Sequence, residues 1–282
     1  MDTRPLKIGI VLDDSLDRPD GVQQYVLTIG KWLQQQGHTV HYIVSATSRQ
    51  DIPNIHAMTK NMTVHFNGNQ LRMPLPARKQ DIRKLLEREA YDVLHVQVPF
   101  SPFLAGRIIR AAGKKTAVVG TFHIVPNSPL VSLASRMLAV WSRPALLRFD
   151  AVMSVSDAAK TFAKEAFGLN SIIVPNAFEY VKFQKAQPRF KPAGEVVHIL
   201  FLGRLVPRKG CMTLLQAIKL LNTRDDVPSF MVSICGRGPL LDRLNEFVDQ
   251  NELGDIVNFR GFIEEADKPD WLASSDITVF RE

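Results

Sequence analysis

Residues 201–210 read FLGRLVPRKG, and they join a short apolar run to an amphipathic pattern. The run that leads into them, Val197–Leu202, is typical of a buried strand, and the apolar residues after them recur at helical spacing. The loop between strand and helix is bounded by glycines and carries Arg204, Arg208 and Lys209. A helix N-terminus offers unpaired N–H groups, and the guanidinium and ammonium groups add positive charge. Because both a strand and a helix flank the loop, the stretch predicts a phosphate-binding site rather than a solvated basic turn.

This loop resembles the donor-phosphate loop of glycosyltransferase family 4, the retaining, nucleotide-sugar-dependent enzymes of the GT-B fold. Within that family the likeness is greatest to the phosphatidylinositol mannosyltransferases. The resemblance implies an α/β fold with two Rossmann-like, doubly wound domains, which bind the acceptor (N-terminal domain) and the donor (C-terminal domain). It implies transfer of a hexose from a UDP- or GDP-linked sugar to a lipid or glycan acceptor, with retention of configuration. Arg204 and Lys209 would bind the donor diphosphate and offset the charge that builds up on it.

Two further turns in the C-terminal half match the same family. Gly236-Arg237-Gly238-Pro239 follows a predicted strand, Phe230–Cys235, and the resemblance places Gly236 and Gly238 near the nucleotide. Gly261-Phe262 ends the next predicted strand, and Phe262 would approach the base. No metal and no further cofactor are expected, since two cations act on the diphosphate and the phosphate loop holds no Asp-x-Asp cluster.

The N-terminal half begins with a strand, a helix and a second strand, which favours a parallel, doubly wound sheet. The helix between Lys7–Leu12 and Thr39–Val44 opens on Asp20-Gly21. The resembling family usually has two glycines here, so that the backbone can approach the donor. Gly21 matches the second of them, and Asp20 stands in place of the first. On the sequence alone, Gly21 is either this contact or a simple turn glycine.

A later predicted strand ends in Thr121-Phe122-His123. Ligands of open α/β sheets bind beyond the carboxyl ends of the strands, which is where His123 would lie. The same three residues occur in the resembling family, and the resemblance places the histidine beside the donor sugar and the reacting centre. We therefore favour His123 as the catalytic candidate over a histidine bonded to the backbone.

Bulk composition suggests a soluble protein with anionic partners. The net charge is +7, the pI is about 9.5, and two cysteines are too few for a disulfide framework. So few cysteines favour a reducing cytosol, and no apolar run is long enough for a membrane span, so we expect a cytoplasmic protein that is soluble or peripheral at the inner face of the membrane. No nucleic-acid partner is expected. A basic segment supports surface attachment, with a solvated helix face as the alternative; its cations are Arg72, Arg78, Lys79 and Arg83.

Two segments of the N-terminal half are predicted without a functional assignment. Residues 60–76 contain Asn67-Gly68, a turn signal, and indicate a hairpin or loop. Residues 130–147 are unusually apolar and indicate a buried core helix, with a lipid-acceptor groove as the alternative.

The predicted domains are residues 1–175 and 196–282, joined by a linker, 176–195, that contains two prolines and little periodicity. The sequence ends directly after a predicted strand, so we interpret the second domain as incomplete and the chain as a truncated family member. Two alternatives to a hexosyltransferase stay open. One is an inactive nucleotide-binding remnant, and the other is a GT-B epimerase or a glycogen-synthase-like enzyme.

Overall fold

The computed structural model describes residues 4–17, 20–66, 69–99, 101–123, 129–190 and 194–280. The turn predicted at Asn67-Gly68 and the side chain of Arg72 lie outside the described residues. The chain divides into two compact units, Met1–Phe178 and Glu179–Glu282. None of the described helices combines the length and the apolar character that a bilayer span requires.

The first unit alternates strands and helices. Its strands are β1 (Lys7–Leu12), β2 (Thr39–Val44), β3 (Ile55–Ala57), β4 (Asn61–Phe66), β5 (Asn69–Pro74), β6 (Val93–Gln97), β7 (Ala117–Phe122), β8 (Ala151–Ser154) and β9 (Ile172–Ile173). Its helices are α1 (Gly21–Gln35), α2 (Lys79–Glu89), α3 (Ala105–Ala111), α4 (Pro129–Leu146) and α5 (Asp157–Phe167).

Seven of these strands form one parallel sheet in the order β3-β2-β1-β6-β7-β8-β9. The connections reverse direction at β1, which lies between β2 and β6, so a crevice is expected beyond the carboxyl ends of these strands. Alternate β1 residues face opposite sides: Ile10 packs with α1, and Val11 packs in the core that includes α2 and α3. The predicted hairpin is confirmed, because β4 and β5 pair antiparallel outside this sheet.

Helix α4 differs from its prediction as a buried core helix. Ala145 and Leu146 are buried, but Val140 and Trp141 are 77% and 69% exposed. Among the side chains described for this helix, Ser142, Ala145 and Leu146 are buried at i, i+3 and i+4 spacing, so this part of the helix packs through one face. The prediction of a buried core helix is wrong for Val140 and Trp141, which lie outside that face.

The second unit holds a four-stranded parallel sheet in the order β12-β11-β10-β13. The predicted alternation of strands and helices is confirmed. The strands are β10 (Val197–Leu202), β11 (Phe230–Cys235), β12 (Val257–Gly261) and β13 (Ile277–Val279). The helices are α6 (Tyr180–Gln184), α7 (Cys211–Asn222), α8 (Leu241–Gln250) and α9 (Lys268–Ala273).

Part of the predicted linker is attached to the second unit. Helix α6 lies in it, and the Lys182 ammonium donates to the carbonyl of Glu265 at 2.7 Å. Further along, the Arg189 amide donates to the Ser274 hydroxyl at 2.7 Å. The domain limits at 175 and 196 stay a prediction.

Candidate functional site

The turns that follow β10, β11 and β12 meet at the carboxyl edge of the second sheet. Backbone hydrogen bonds connect them beyond the regular ladder, from Leu205 N–H to the Arg237 carbonyl at 3.0 Å and from Gly236 N–H to the Gly261 carbonyl at 2.6 Å. The three turns thus form one continuous backbone surface, which we call the donor edge: residues 203–210, 236–240 and 261–263.

Two glycines are required by the packing of this donor edge. A Cβ on Gly236 would lie 1.9 Å from the Gly203 carbonyl oxygen, and Gly236 also has a φ of +154°. A Cβ on Gly238 would lie 2.4 Å from the Leu205 carbonyl oxygen. Both contacts are with backbone, which cannot swing aside as a side chain can. The Gly-x-Gly pattern therefore has a structural cause, and its predicted role in nucleotide binding stays a prediction.

The basic loop connects β10 to α7 as the sequence predicts. Arg204 is exposed, Lys209 is half-buried, and residues 207–209 form a short 3-10 turn. Gly210 then adopts the left-handed region at φ +73°, and α7 begins at Cys211. The first amides of a helix have no acceptor within it, so this loop presents N–H groups and cations at the end of the strand.

An aromatic side chain borders the same edge. Phe262 is 39% exposed, and the Arg237 guanidinium lies 5.5 Å from the centre of its ring. This is a cation–π distance. Sequence reasoning singled out Phe262 but not Arg237. The available signal was that Gly-Arg-Gly and Gly-Phe end strands that neighbour each other in the sheet.

In the first unit, His123 lies directly after β7 and is held by side chains. Its Nε2–H donates to Gln97 Oε1 at 2.7 Å, and the Tyr25 ring meets it edge-on with 5.0 Å between ring centres. One residue pair further into the sheet, a 2.7 Å hydrogen bond joins His95 Nε2 to the Thr121 hydroxyl. We call these five residues the polar network.

Burial keeps both histidines of the polar network neutral. It lowers the pKa of His123 to about 4, against a hydrogen bond with Asn176 that acts in the other direction. It lowers the pKa of His95 to about 4 as well, and the proximity of His123 adds to that shift. At neutral pH His123 can therefore orient a hydroxyl group by hydrogen bonding, but it carries no charge.

Gln97 in the same network has an unused donor. Its side chain is fully buried, its Oε1 accepts from His123, and its Nε2 has no hydrogen-bond partner among the described residues. A buried polar group without a partner is costly, so a ligand hydroxyl or a water is the natural complement.

The loop after β1 holds the predicted Gly21 and an unpredicted carboxylate. The Asp13 carboxylate accepts from the Ala105 amide at 2.6 Å and from the Ser101 hydroxyl, and its burial raises its pKa to about 6. Gly21 is the first residue of α1, and a Cβ built on it meets nothing within 4 Å. Packing therefore does not require a glycine at position 21.

Sequence reasoning missed most of the polar network. Tyr25, His95 and Gln97 are not among the residues that the sequence analysis names as candidates. A signal was present, because His95 and Gln97 are polar residues at alternate positions of a buried strand, next to Thr121 and His123 on the neighbouring one. Alternating polar residues inside a parallel sheet indicate a network on one face.

Two protein-family models match the chain. A model described as Glycosyltransferase Family 4 matches residues 19–179, and one described as Glycosyl transferases group 1 matches residues 183–282. The chain belongs to glycosyltransferase family 4. The predicted family and the predicted class of enzyme, a transferase, are confirmed.

Relatives of this glycosyltransferase agree with that membership. A phosphatidyl-myo-inositol mannosyltransferase of Mycolicibacterium smegmatis is 30% identical over 275 residues, which cover 96% of this chain and 69% of the relative. A protein of the same name from Mycobacterium tuberculosis is 28% identical, with 96% and 70% covered.

Solved structures show the fold of this glycosyltransferase. A Rickettsia africae glycosyltransferase superposes with a TM-score of 0.73 at 18% identity, covering 99% of this chain and 73% of that one. The Anabaena protein HepE, solved with UDP and glucose, gives a TM-score of 0.67 at 16% identity, with 97% and 73% covered. The prediction of a GT-B fold with two Rossmann-like units is confirmed. The predicted site residues stay predictions.

Proposed function

We propose that this glycosyltransferase transfers a hexose from a UDP- or GDP-linked sugar to a lipid or glycan acceptor with retention of configuration. The observation that carries the proposal is the donor edge, where three turns bring backbone amides, cations and an aromatic ring to one end of the sheet. A neighbour of the same fold was solved with UDP and glucose, which supports a nucleotide-sugar donor. The relatives named as phosphatidyl-myo-inositol mannosyltransferases support a lipid acceptor.

Each part of the donor edge has a proposed task. Arg204 and Lys209 bind the diphosphate and stabilise the charge that develops on it as the sugar leaves. The first turn of α7 adds backbone N–H groups to the same phosphates. Gly236 and Gly238 keep the backbone close to the nucleotide, and Phe262 contacts the base.

The proposal also assigns roles to residues of the first unit. His123, neutral and held by Gln97, orients a sugar hydroxyl, and the unused Nε2 donor of Gln97 hydrogen-bonds a ligand oxygen. Gly21 allows the backbone at the start of α1 to approach the donor. The open space around Gly21 favours this role over a glycine needed for packing, since an alanine would fit there.

A transfer assay tests the proposal. The chain is incubated with radiolabelled GDP-mannose or UDP-glucose and with phosphatidylinositol or a lipid extract, and the anomeric configuration of the product is determined by NMR. We expect His123→Gln to lower the rate about a hundredfold, because a misoriented sugar reacts slowly. His38→Gln is the matched control and should keep the wild-type rate. Absence of transfer by the wild type, or an unchanged rate in His123→Gln, would contradict the proposal.

Attachment to an anionic membrane surface is the second part of the proposal. Between α2 and α3 lies a pocket lined by Ile82 and Ala111 together with four cations, Lys79, Arg83, Arg107 and Arg110. Each basic residue near an acidic bilayer contributes about 1 kcal/mol, and salt screens the attraction.

Co-sedimentation with anionic vesicles at low salt measures this attachment. The double variant Lys79→Ser, Arg83→Ser should bind about thirtyfold more weakly, since two charges of about 1 kcal/mol each are lost. A variant with Lys114→Ser and Lys115→Ser loses the same charge from an exposed turn of the same unit and should bind like the wild type. Equal binding by both double variants would remove the pocket from the proposal.

A further inference from the structure

Two histidines face each other on β2 and β3, at the edge of the first sheet that is farther from the polar network. His41 is the third residue of β2, and His56 lies in β3 opposite Ile43, so both point to the face covered by α2. His41 Nδ1 and His56 Nε2 are 2.9 Å apart. His123, in contrast, follows the carboxyl end of β7 on the face covered by α1. The pair is thus separated from the polar network by the thickness of the sheet, and strand β1 lies between β2 and β6.

A carboxylate and a phenol converge on the same pair. Glu89, the last residue of α2, places Oε2 3.7 Å from His41 Nδ1, and the Tyr91 hydroxyl lies 3.1 Å from that nitrogen. One ligand atom from each of His41, His56 and Glu89 lies within 4.8 Å of the other two. These three side chains come from two strands and a helix end.

We propose that His41, His56 and Glu89 bind a divalent transition-metal cation of the Zn²⁺ type, which fastens β3 and the end of α2 to β2. Two imidazoles and one carboxylate are a donor set that suits Zn²⁺. Bonds of about 2.0–2.1 Å to a tetrahedral ion set the ligand atoms about 3.3 Å apart, and the separations of 2.9 Å and 3.7 Å from His41 Nδ1 lie close to that spacing. The sequence analysis expects no metal at the phosphate loop, and a structural ion at His41, His56 and Glu89 does not conflict with that expectation.

The contact between the two histidines fits the proposal. Their facing nitrogens, His41 Nδ1 and His56 Nε2, point at each other across 2.9 Å. Without an ion, one of the two facing nitrogens must carry a proton and donate to the other.

Lys7 competes for the carboxylate. Its ammonium lies 2.6 Å from Glu89 Oε2, and Arg88 Nε lies 2.7 Å from Oε1 of the same group. The side chain of Lys7 is 31% exposed, so it can turn outward when an ion enters. The pairing predicts an unusual result: removing a positive charge at position 7 should improve metal binding.

Titration of the untagged, chelator-treated chain with ZnCl₂ tests the site, with binding measured by calorimetry. The visible spectrum of the Co²⁺ form reports tetrahedral coordination independently. We expect one ion per chain and a rise in the thermal unfolding temperature. His56→Gln should weaken binding by more than the roughly 10–100-fold that loss of an outer-shell partner costs, and Lys7→Gln should tighten it about tenfold. His38→Gln, which removes a nearby histidine outside the cluster, should bind like the wild type.

The variants also define failure. The proposal is overturned if the wild type takes up no Zn²⁺, or if His56→Gln and His38→Gln bind it equally well. Where His56→Gln does not fold, Lys7→Gln decides: tighter binding supports the site, and unchanged or weaker binding rejects it. Transfer activity is not part of this readout, so its loss or retention bears only on the proposed function.

Discussion

The carboxyl edges of the two sheets are held together by different kinds of hydrogen bond. At the first, buried side chains bond to each other, with His123 held by Gln97 and enclosed by Tyr25. At the second, the donor edge is backbone bonded to backbone, and its charged groups such as Arg204 project outward. Both edges lie where ligands of open α/β sheets bind.

The two edges should therefore tolerate different substitutions. A backbone surface tolerates changes of exposed side chains but not an added Cβ at a point of close approach. A buried polar network tolerates little change of side chain, because every altered group leaves a partner unsatisfied. Substitutions of exposed side chains at the donor edge should therefore change ligand binding without changing stability. Substitutions in the polar network should change both.

The largest expected effect is on nucleotide binding by the donor edge. Arg204→Ala combined with Lys209→Ala removes two charge-assisted contacts of about 1.5–3 kcal/mol each, so affinity for UDP or GDP should fall about a hundredfold or more. Calorimetric titration measures it. The control is Lys219→Ala with Arg243→Ala, which removes the same charge from exposed positions on α7 and α8. If both double variants bind equally, general electrostatic attraction explains the affinity and the loop assignment is lost.

The next effect is on the stability of the second unit. Gly238→Ala forces a Cβ against the backbone of Leu205 and should lower the free energy of unfolding by about 1–3 kcal/mol. Gly254→Ala, in the same unit, has nothing within 4 Å of its Cβ and should be neutral. Urea unfolding of both variants measures the difference. Equal stabilities would show that the turns can separate without cost, and the contrast between the two edges would disappear.

Much of the donor edge could be predicted because it is local in sequence. Residues 197–221 include a strand, a basic loop bounded by glycines and a helix. Because these residues, about 25 in number, are consecutive, their pattern alone predicts that the loop lies between the end of a strand and the start of a helix. Gly236 and Gly238 follow β11, Phe262 follows β12, and parallel strands bring their carboxyl ends to one edge. The alternation of strands and helices predicted parallel, doubly wound sheets, and the resemblance to the family implied the GT-B fold.

The polar network could not be predicted to the same extent, because it depends on strand order. Tyr25 and Thr121 are far apart in sequence and meet only because β6 lies between β1 and β7. The contact between His41 and His56 also depends on strand order, and it could not be predicted because the short strand β3 has no clear sequence pattern. Asp13 could not be recognised as a buried carboxylate until α3, which it caps, was located.

The smallest expected effect is on the stability of the first unit at acidic pH. Burial holds the pKa of His95 and His123 at about 4, below the ordinary 6.5, so the unfolded chain takes up protons that the folded chain refuses as pH falls from 6.5 towards 4. Stability present above pH 6.5 is therefore lost through that window, and the lowered pKa of His41 and His56 acts with the same sign. Asp13 opposes them, because its pKa is raised to about 6 and the folded state gains its proton first.

Denaturant unfolding at pH 6.5 and pH 5.0, followed by hydrogen exchange of β6 and β10, separates these contributions. Replacing His95 by asparagine should make the loss of stability of the first unit between these pH values about 1–2 kcal/mol smaller, since one pKa unit corresponds to about 1.4 kcal/mol. Asp13→Asn should make the loss larger, because the opposing proton uptake is gone. If His95→Asn keeps the wild-type pH dependence, His95 is already solvated or charged in the folded state. The polar network would then resemble the exposed donor edge, and the contrast drawn from its burial would fail.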